Sequence, residues 1–386
     1  MQKVLNNKKR IAIIATSPLT VNAFLVHQIK SLSKIYSITV ISNFKDISLS
    51  SELHNCVSQY SINFSRGMNL LRDISCLINL YFYLRKHQFD LIHSLTPKAG
   101  FLSAISGYLI KTKVRIHTFT GQVWVTRNGL TKLFLKFLDK IIGQLNTHIL
   151  VDSPSQRDFL LDQGIIKAIN SKVLFHGSIS GVNLNRFKPA IAVRKKIRND
   201  LCICQSELVL LFVGRLKNDK GILDLVKVFM RLKTVYPILR LILIGPDEEN
   251  LINKIKKICL KDKDHIIFIP FSTNPQDYMT ASDILILPSY REGFGSVIIE
   301  AGACGIPSIA SNIYGLTDAV SHNETGLLFE AGDEQHLYES IERLIKNKEL
   351  RITLGQNALK RSQNFFSEER LTRELVIFYN NLFTTN

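Results

Sequence analysis

The sequence has 386 residues, of which 46% are hydrophobic and 21% charged, and its formal net charge is +17. This length and composition are typical of a soluble globular protein with two domains of similar size. The apolar runs are too short for a transmembrane helix, and the six cysteines show no zinc-binding or CxxC spacing, so we expect reduced thiols in a cytoplasmic protein.

The positive charge is concentrated in the first half of the chain. Residues 1–186 carry +15 and residues 187–386 carry +2 of the total of +17. A basic half joined to a nearly neutral half predicts that one lobe faces an anionic partner, which could be anionic lipid, nucleic acid or a polyphosphate.

The first half alternates short β-strand patterns with helical patterns. Strands are expected at 10–15, 37–41, 90–93, 114–119 and 148–152. The first of these follows the basic residues Lys8–Arg10 as a signal peptide would, but Thr16, Ser17 and Pro18 interrupt it too early, which favours a strand. The alternation predicts a doubly wound parallel sheet.

Lys98 stands where the strand at 90–93 leads into the next helix. At this junction its ammonium group could neutralise a diphosphate on an acceptor molecule. A solvated loop lysine explains the same position equally well.

The stretch from Leu130 to Ile142 has the pattern of a basic amphipathic helix. Its apolar residues form one stripe, and Lys132, Lys136 and Lys140 form a second stripe at intervals of four. An ordinary core helix with solvated lysines would show the same pattern, but the charge of the first half favours contact with an anionic membrane surface. Near-surface cations contribute on the order of 1 kcal/mol each to such binding.

The second half opens with a strand at 207–213. The loop that follows it, Gly214–Gly221, carries Arg215 and Lys220, which are placed to balance the charge of a nucleotide diphosphate. Further strands are expected at 239–245 and 265–270. The triplet Asp262-Lys263-Asp264 is interpreted as solvated charge in a turn and not as a metal site.

Residues 281–311 combine a strand, a glycine-containing loop, a helix from 296 to 304 and a second strand. Glu292 lies in the loop and Glu300 lies in the helix, whose side chains tilt towards its N-terminus and hence towards the same cavity. An ionised carboxylate can accept hydrogen bonds from both hydroxyls of a vicinal diol, while the helix start offers N–H groups to an anion. The pair therefore suits a phosphorylated sugar, although two ordinary surface glutamates would have the same spacing.

The complete string E-G-F-G-(x)4-E-A-(x)2-C-G-I-P resembles the E-(x)7-E signature of retaining glycosyltransferases of family 4. The resemblance implies the α/β glycosyltransferase-B fold, with two Rossmann-like doubly wound domains facing a cleft. Residues 1–186 would bind the acceptor and face the membrane, and residues 187–367 would bind the nucleotide sugar. A C-terminal helix at about 368–386 would pack back on the first domain.

The resemblance also assigns roles to individual residues. Glu292 would be the catalytic-site residue that faces the donor sugar, and Glu300 would hold the ribose hydroxyls. The remaining donor-binding residues would be Arg215 and Lys220 on the diphosphate, with Gly293, Phe294, Gly295, Ser296 and Val297 around the sugar and phosphates. Thr120, Gly121 and Gln122 would line the acceptor side of the cleft, and no metal or other cofactor is expected.

These assignments predict a retaining glycosyltransferase at the inner face of the cytoplasmic membrane. It would move a hexose or N-acetylhexosamine, with UDP the preferred carrier, to a polyprenyl-diphosphate-linked glycan in O-antigen or capsule synthesis. The alternatives are a sugar-nucleotide epimerase, a soluble glucan- or sucrose-type synthase, and a basic nucleic-acid- or lipid-binding protein. Binding of nucleic acid is disfavoured because the lysines cluster with an apolar stripe and not with stacking aromatic residues.

Overall fold

A computed structural model of the protein describes residues 8–65, 67, 69–259 and 265–384. The chain divides into two compact units, one that runs to Ser180 and is completed from Glu368 onwards, and a second that spans Gly181–Ser367. The boundary lies six residues before the expected one at 186/187. The triplet Asp262-Lys263-Asp264 lies outside the described residues.

Both units contain a parallel β-sheet. The strands are β1 (Arg10–Ile14), β2 (Ser37–Ser42), β3 (Ser58–Ser61), β4 (Leu91–Leu95), β5 (Val114–Phe119), β6 (His148–Val151), β7 (Ser171–Val173), β8 (Leu208–Val213), β9 (Leu239–Ile244), β10 (Ile266–Ile269), β11 (Ile284–Leu287), β12 (Ser308–Ser311) and β13 (Gly326–Phe329). Within the described residues, a 7-stranded sheet has the order β3-β2-β1-β4-β5-β6-β7 and a 6-stranded sheet has the order β10-β9-β8-β11-β12-β13. The second order is that of a Rossmann sheet, so the predicted doubly wound α/β class is confirmed.

Helices connect the strands. They are α1 (Pro18–Phe24), α2 (Val26–Ser33), α3 (Ser51–His54), α4 (Leu70–His87), α5 (Pro97–Leu109), α6 (Gly129–Leu145), α7 (Pro154–Asp162), α8 (Ile191–Asp200), α9 (Ile222–Val235), α10 (Leu251–Cys259), α11 (Pro275–Ala281), α12 (Ser296–Ala303), α13 (Leu316–Ala319), α14 (Glu334–Lys346), α15 (Lys348–Phe365) and α16 (Glu368–Thr384). A parallel strand pair needs such a crossover, and the crossovers cover the sheet faces.

Alternate residues of β1 point to opposite faces of the first sheet. Ile11 and Ile13 pack with α2 and α16, whereas Ala12 and Ile14 pack with α4 and α5. Helix α6 packs against α5 on the latter face, as right-handed crossovers require. We call α4, α5 and α6 together the α4–α6 layer. Because its helices run antiparallel to the strands, their first turns lie at the carboxyl edge of the sheet.

Helix α16 returns to the first unit and is held there by a buried polar contact. The Tyr379 hydroxyl lies 2.5 Å from His93 Nδ1, and His93 Nε2 lies 2.7 Å from Thr118 Oγ1. Burial lowers the pKa of His93 to about 3, so this histidine is neutral across the physiological pH range. The contact ties the last helix to the middle of the first sheet.

Candidate functional site

The glycine-containing loops of the second unit meet at the point where its strand order reverses. Strands β8 and β11 are neighbours in the sheet, although about seventy residues separate them in the chain. The loop after β8 carries Arg215 and Lys220, and the loop after β11 carries Glu292. Ligands of open α/β sheets bind at this position, outside the carboxyl ends of the strands that flank the reversal.

The two loops are packed tightly against each other. A Cβ atom on Gly221 would lie 2.0 Å from the Pro288 carbonyl oxygen, and Gly221 has a φ of +65°, so only glycine fits there. The Tyr290 amide donates to the Asp219 carbonyl at 2.9 Å, and Arg291 pairs with the Asp219 carboxylate at 2.9 Å. These contacts fix the main chain around Lys220 relative to the main chain around Glu292.

Lys220 and Glu292 form a direct ion pair. Lys220 Nζ lies 2.5 Å from Glu292 Oε1, and the side chains are only 12% and 17% exposed. The Ser289 hydroxyl donates to the same carboxylate oxygen at 2.9 Å. The structure therefore brings together two residues that the sequence placed in separate loops, and it shows that Glu292 has a cationic partner.

Arg215 is more accessible than Lys220. Its guanidinium lies 3.2 Å from Glu248 Oε2 and is 47% exposed, and Lys217 is 3.8 Å from the same carboxylate. An exposed pair of this kind contributes little to stability. A diphosphate could replace Glu248 as the partner of Arg215 at small cost.

Glu300 differs from the other acidic residues of the site. Among the described residues its carboxylate makes no hydrogen bond or ion pair. Burial raises the pKa of this half-buried carboxyl to about 7, and the positive charge of Arg186 opposes the shift only in part. A desolvated carboxylate without a partner is an acceptor available to a ligand.

The segment between Glu292 and Glu300 can bind a ligand mainly through its main-chain N–H groups, because its one large side chain is buried. Phe294 is 2% exposed and packs against Phe366 with ring centroids 5.3 Å apart, so its side chain belongs to the core. Gly295 has a φ of +77° and precedes α12, whose start has no side-chain cap. The first-turn N–H groups at Ser296 and Val297 have no intrahelical partner and can meet an anion.

Lys98, in the first unit, is already engaged in an internal contact. Its Nζ lies 2.7 Å from Asp73 Oδ1, 2.9 Å from Ser65 Oγ and 2.5 Å from the Gly67 carbonyl oxygen. The amine therefore links α5 to the start of α4. These contacts differ from the solvated loop lysine considered above. A diphosphate would have to displace Asp73 to reach the amine, so the acceptor role of Lys98 stays a prediction.

The segment Thr120–Gln122 follows β5 at the carboxyl edge of the first sheet. Thr120 and Gly121 are partly exposed, whereas Gln122 is buried and accepts a hydrogen bond from Gln156 Nε2 at 3.2 Å. Thr120 and Gly121 can face a ligand directly, and Gln122 supports the segment from beneath.

Two residues near the candidate sites were not predicted from the sequence, one in each unit. Thr96, at the end of β4, adopts a φ of +67° and lies beside Thr16, whose hydroxyl contacts that of Thr96. Such backbone strain is often found at functional sites. Arg186, near Glu300, also went unnoticed, because its distance in sequence from Glu300 gave no signal.

Helix α6 divides its predicted apolar stripe between core and solvent. Ile142 is buried, whereas Leu130 and Leu133 are 84% and 64% exposed. Lys132 and Lys140 are exposed, but Lys136 donates to Gln163 Oε1 at 2.8 Å and lies over the Trp124 ring. The three lysines therefore differ, and two of them face solvent.

Two kinds of site are absent from the described part of the chain. In it, no helix is long and apolar enough to cross a membrane. Nor do the described residues contain a group of three or more His, Cys, Asp or Glu side chains arranged to hold a metal ion.

Comparison with known proteins gives consistent matches. Residues 193–361 match the family described as "Glycosyl transferases group 1". The chain is 30% identical over 320 residues to the capsular polysaccharide biosynthesis glycosyltransferase CapM of Staphylococcus aureus, covering 83% of this chain and 84% of CapM. It is 26% identical to the UDP-Gal:alpha-D-GlcNAc-diphosphoundecaprenol alpha-1,3-galactosyltransferase of Escherichia coli, with 78% of each chain covered.

Solved structures with the same fold are also found. The crystal structure of Anabaena Alr3699/HepE in complex with UDP and glucose aligns with a TM-score of 0.80 over 97% of this chain and all of that chain, at 19% identity. At this identity the likeness concerns the fold, and it confirms the predicted glycosyltransferase-B class.

Proposed function

This chain belongs to the group 1 glycosyltransferases, and on that premise we propose that it transfers a hexose or N-acetylhexosamine from a UDP-sugar to a polyprenyl-diphosphate-linked glycan. The observation that carries the donor half of the proposal is the Lys220–Glu292 pair at the strand reversal of the second sheet. A cation and a carboxylate meet there, beside an unpartnered helix start.

The ion pair suggests how the donor is received. The diphosphate of the donor carries more negative charge than one carboxylate, so it competes with Glu292 for Lys220 and with Glu248 for Arg215. Once Lys220 has moved to the diphosphate, Glu292 is free to accept hydrogen bonds from the sugar. Binding of the nucleotide and exposure of the sugar-facing carboxylate are then a single event.

Glu300 completes the nucleotide site in this proposal. Its unpartnered carboxylate accepts hydrogen bonds from the two ribose hydroxyls. The main-chain N–H groups at Gly295, Ser296 and Val297 donate hydrogen bonds to the phosphates. Arg215 and Lys220 balance the charge on the leaving diphosphate in place of a metal ion, and in this proposal the transfer retains the configuration of the sugar.

The acceptor half of the proposal rests on the relatives and on charge. CapM is named for capsule synthesis, and the E. coli relative is named for an acceptor on diphosphoundecaprenol. A lipid-linked acceptor fits the charge of +15 in residues 1–186. The protein would then attach peripherally to the cytoplasmic face of the membrane, through Lys132, Lys140 and the exposed residues of α6.

A thermal-shift panel of nucleoside diphosphates and their sugars, followed by transfer assays, tests the donor site. Specific binding raises the melting temperature in proportion to the logarithm of ligand concentration. We expect stabilisation by UDP and one UDP-sugar, with and without chelator, and loss of both stabilisation and transfer in Lys220→Ala.

The matched control is Lys346→Ala, which breaks a lysine–glutamate pair of the same unit, Lys346–Glu342 at 3.0 Å, at the end of α14 and beside Tyr236. If Lys220→Ala and Lys346→Ala respond to UDP alike, the donor site is misplaced. Conversion of the nucleotide sugar into an isomeric sugar without any acceptor would instead indicate an epimerase.

A further inference from the structure

Helix α4 presents large apolar side chains to solvent along its whole length. They are Leu70 at 76% exposure, Leu71 at 81%, Ile74 at 45%, Ile78 at 49% and Phe82 at 61%. The opposite side of the helix, with Leu80 and Leu84, is buried against the sheet. Only one apolar face of α4 is needed for packing against the sheet. The second apolar face is exposed to solvent and is available to bind a partner.

Helix α6 carries a similar exposed set at the other side of the α4–α6 layer. Leu130 and Leu133 lie in its first turns, and the half-exposed Phe134 and Phe137 follow. The first turns of α4 and α5 also lie together, as the 2.7 Å contact between Asp73 and Lys98 shows. The most exposed apolar residues of both outer helices therefore lie at the carboxyl edge of the first sheet.

The charges around these apolar residues are almost all positive. Asp73, Asp90 and Asp139 are the only acidic residues between positions 69 and 145. The first two are paired with Lys98 and Lys9, and Asp139 is buried against the Trp124 indole N–H at 2.8 Å. The exposed cations include Arg72, Arg127 and Lys132 at the carboxyl edge, and Arg85, Lys86 and Lys140 farther along the outer helices.

We propose that α4 is a second membrane-binding helix, which with α6 seats the carboxyl edge of the first sheet on an anionic bilayer. Exposed leucine and phenylalanine side chains flanked by positive charge are complementary to the surface of an anionic bilayer, which offers an apolar interior beneath negatively charged headgroups. The inference rests on the proposed function, because it extends membrane attachment from α6 to a helix in which the sequence showed no membrane signal. Helix α4 carries the charged residues Arg72, Asp73, Arg85 and Lys86. It therefore lies parallel to the membrane surface, at the level of the lipid headgroups, and does not cross the bilayer.

This placement has a consequence for the acceptor. Thr120 and Gly121 follow β5 at the same carboxyl edge as the first turns of α4 and α6. A glycan whose diphosphate lies among the lipid headgroups would therefore reach these residues without its lipid leaving the bilayer.

Co-sedimentation of the full chain with vesicles tests the proposal. The vesicles contain either phosphatidylcholine alone or phosphatidylcholine with phosphatidylglycerol. The variants are Leu70→Ser/Leu71→Ser in α4 and Leu130→Ser/Leu133→Ser in α6. The control is Ile169→Ser, which removes an apolar side chain of the same unit that is 94% exposed but lies outside the layer.

We expect each double variant to lower the partition onto anionic vesicles by at least about tenfold, since each buried leucine favours the apolar phase by more than a factor of ten. Ile169→Ser should bind like the wild type. All variants should keep their melting temperature and their response to UDP, because the changed residues are exposed and lie outside the second unit.

Each other outcome overturns a different statement. If only the α6 variant loses binding, attachment through α6 stands and the role of α4 is wrong. If the wild type does not bind anionic vesicles but still responds to UDP, membrane attachment fails and the donor site survives. If Leu70→Ser/Leu71→Ser converts a dimer to a monomer in analytical ultracentrifugation without changing vesicle binding, the α4 face binds a second copy of the chain.

Discussion

Replacement of Glu300 by glutamine should stabilise the ligand-free protein and weaken nucleotide binding. The carboxyl has an ordinary pKa of 4.5 in the unfolded chain, and burial raises it to about 7 in the folded protein. Between these values the folded state binds the proton more tightly, so the free energy of unfolding falls as the pH rises from 4.5 to 7. At 1.36 kcal/mol per pH unit the loss at pH 8 is on the order of 3 kcal/mol, an upper bound because water reaches the half-buried side chain.

Thermal melts of the ligand-free protein at pH 5 and pH 8 measure this effect. At about 2–4 °C per kcal/mol for a unit of this size, Glu300→Gln should raise the melting temperature at pH 8 by several degrees. The difference should be much smaller at pH 5, where the carboxyl is protonated in the folded protein and partly so in the unfolded chain. Glu339→Gln, on the exposed side of α14, is the matched control and should change neither melt.

Nucleotide affinity should respond in the opposite direction. Only the ionised carboxylate can accept both ribose hydroxyls, so the Kd of UDP for the wild type should rise about tenfold from pH 8 to pH 6. Glu300→Gln should bind UDP weakly and without this pH dependence, as titration calorimetry can measure. A variant that is no more stable at pH 8 and binds UDP with the pH profile of the wild type would refute the reasoning about Glu300.

Three other predictions concern contacts within single units. Lys98→Met should cost about 1–3 kcal/mol in urea melts, because Asp73 loses its cation, whereas an increased KM for the acceptor at unchanged stability would support the acceptor role of Lys98. Gly221→Ala should abolish UDP binding, because the added Cβ would collide with the Pro288 carbonyl. Gly164→Ala controls for backbone strain alone, since Gly164 has the same φ of +65° but no described atom within 4 Å of the added Cβ. Fluorescence of Trp124, the one tryptophan of the sequence, should titrate near pH 7, because burial raises the pKa of Asp139 to about 7 and this carboxyl contacts the indole N–H. Asp139→Asn should remove that titration, and a titration that persists would assign it to another group.

The site illustrates how far local pattern reaches. The glycines, the strand before Pro288 and the start of α12 at Ser296 could be predicted because each depends on a few neighbouring residues. The short strands β3 and β7 were not predicted, since the sequences Ser58–Ser61 and Ser171–Val173 lack the apolar runs of central strands. Their positions at the edges of the first sheet explain the weaker apolar signal.

Contacts between residues far apart in the chain could not be predicted from local pattern. The sequence predicts donor binding for both Lys220 and Glu292, but it does not predict their 2.5 Å ion pair, which joins positions 72 residues apart. Lys98 was considered for an anionic acceptor, yet Asp73, 25 residues earlier, contacts its amine. The exposure of the apolar face of α4 could not be predicted, because exposure depends on which neighbours cover a helix and not on the helix sequence alone.

The sequence by itself determined the doubly wound α/β class and the two-unit organisation, and it placed the candidate polar residues in the loops after β8 and β11. The class and the loops follow from hydrophobic periodicity and from glycine positions, which are properties of short segments, whereas the roles expected of the polar residues come from the resemblance to a known family. Only the tertiary structure decided which of those residues are paired and which, like Glu300, remain available to a ligand. Pairing and desolvation depend on distances between segments that the packing of the sheets brings together, and no local pattern encodes those distances.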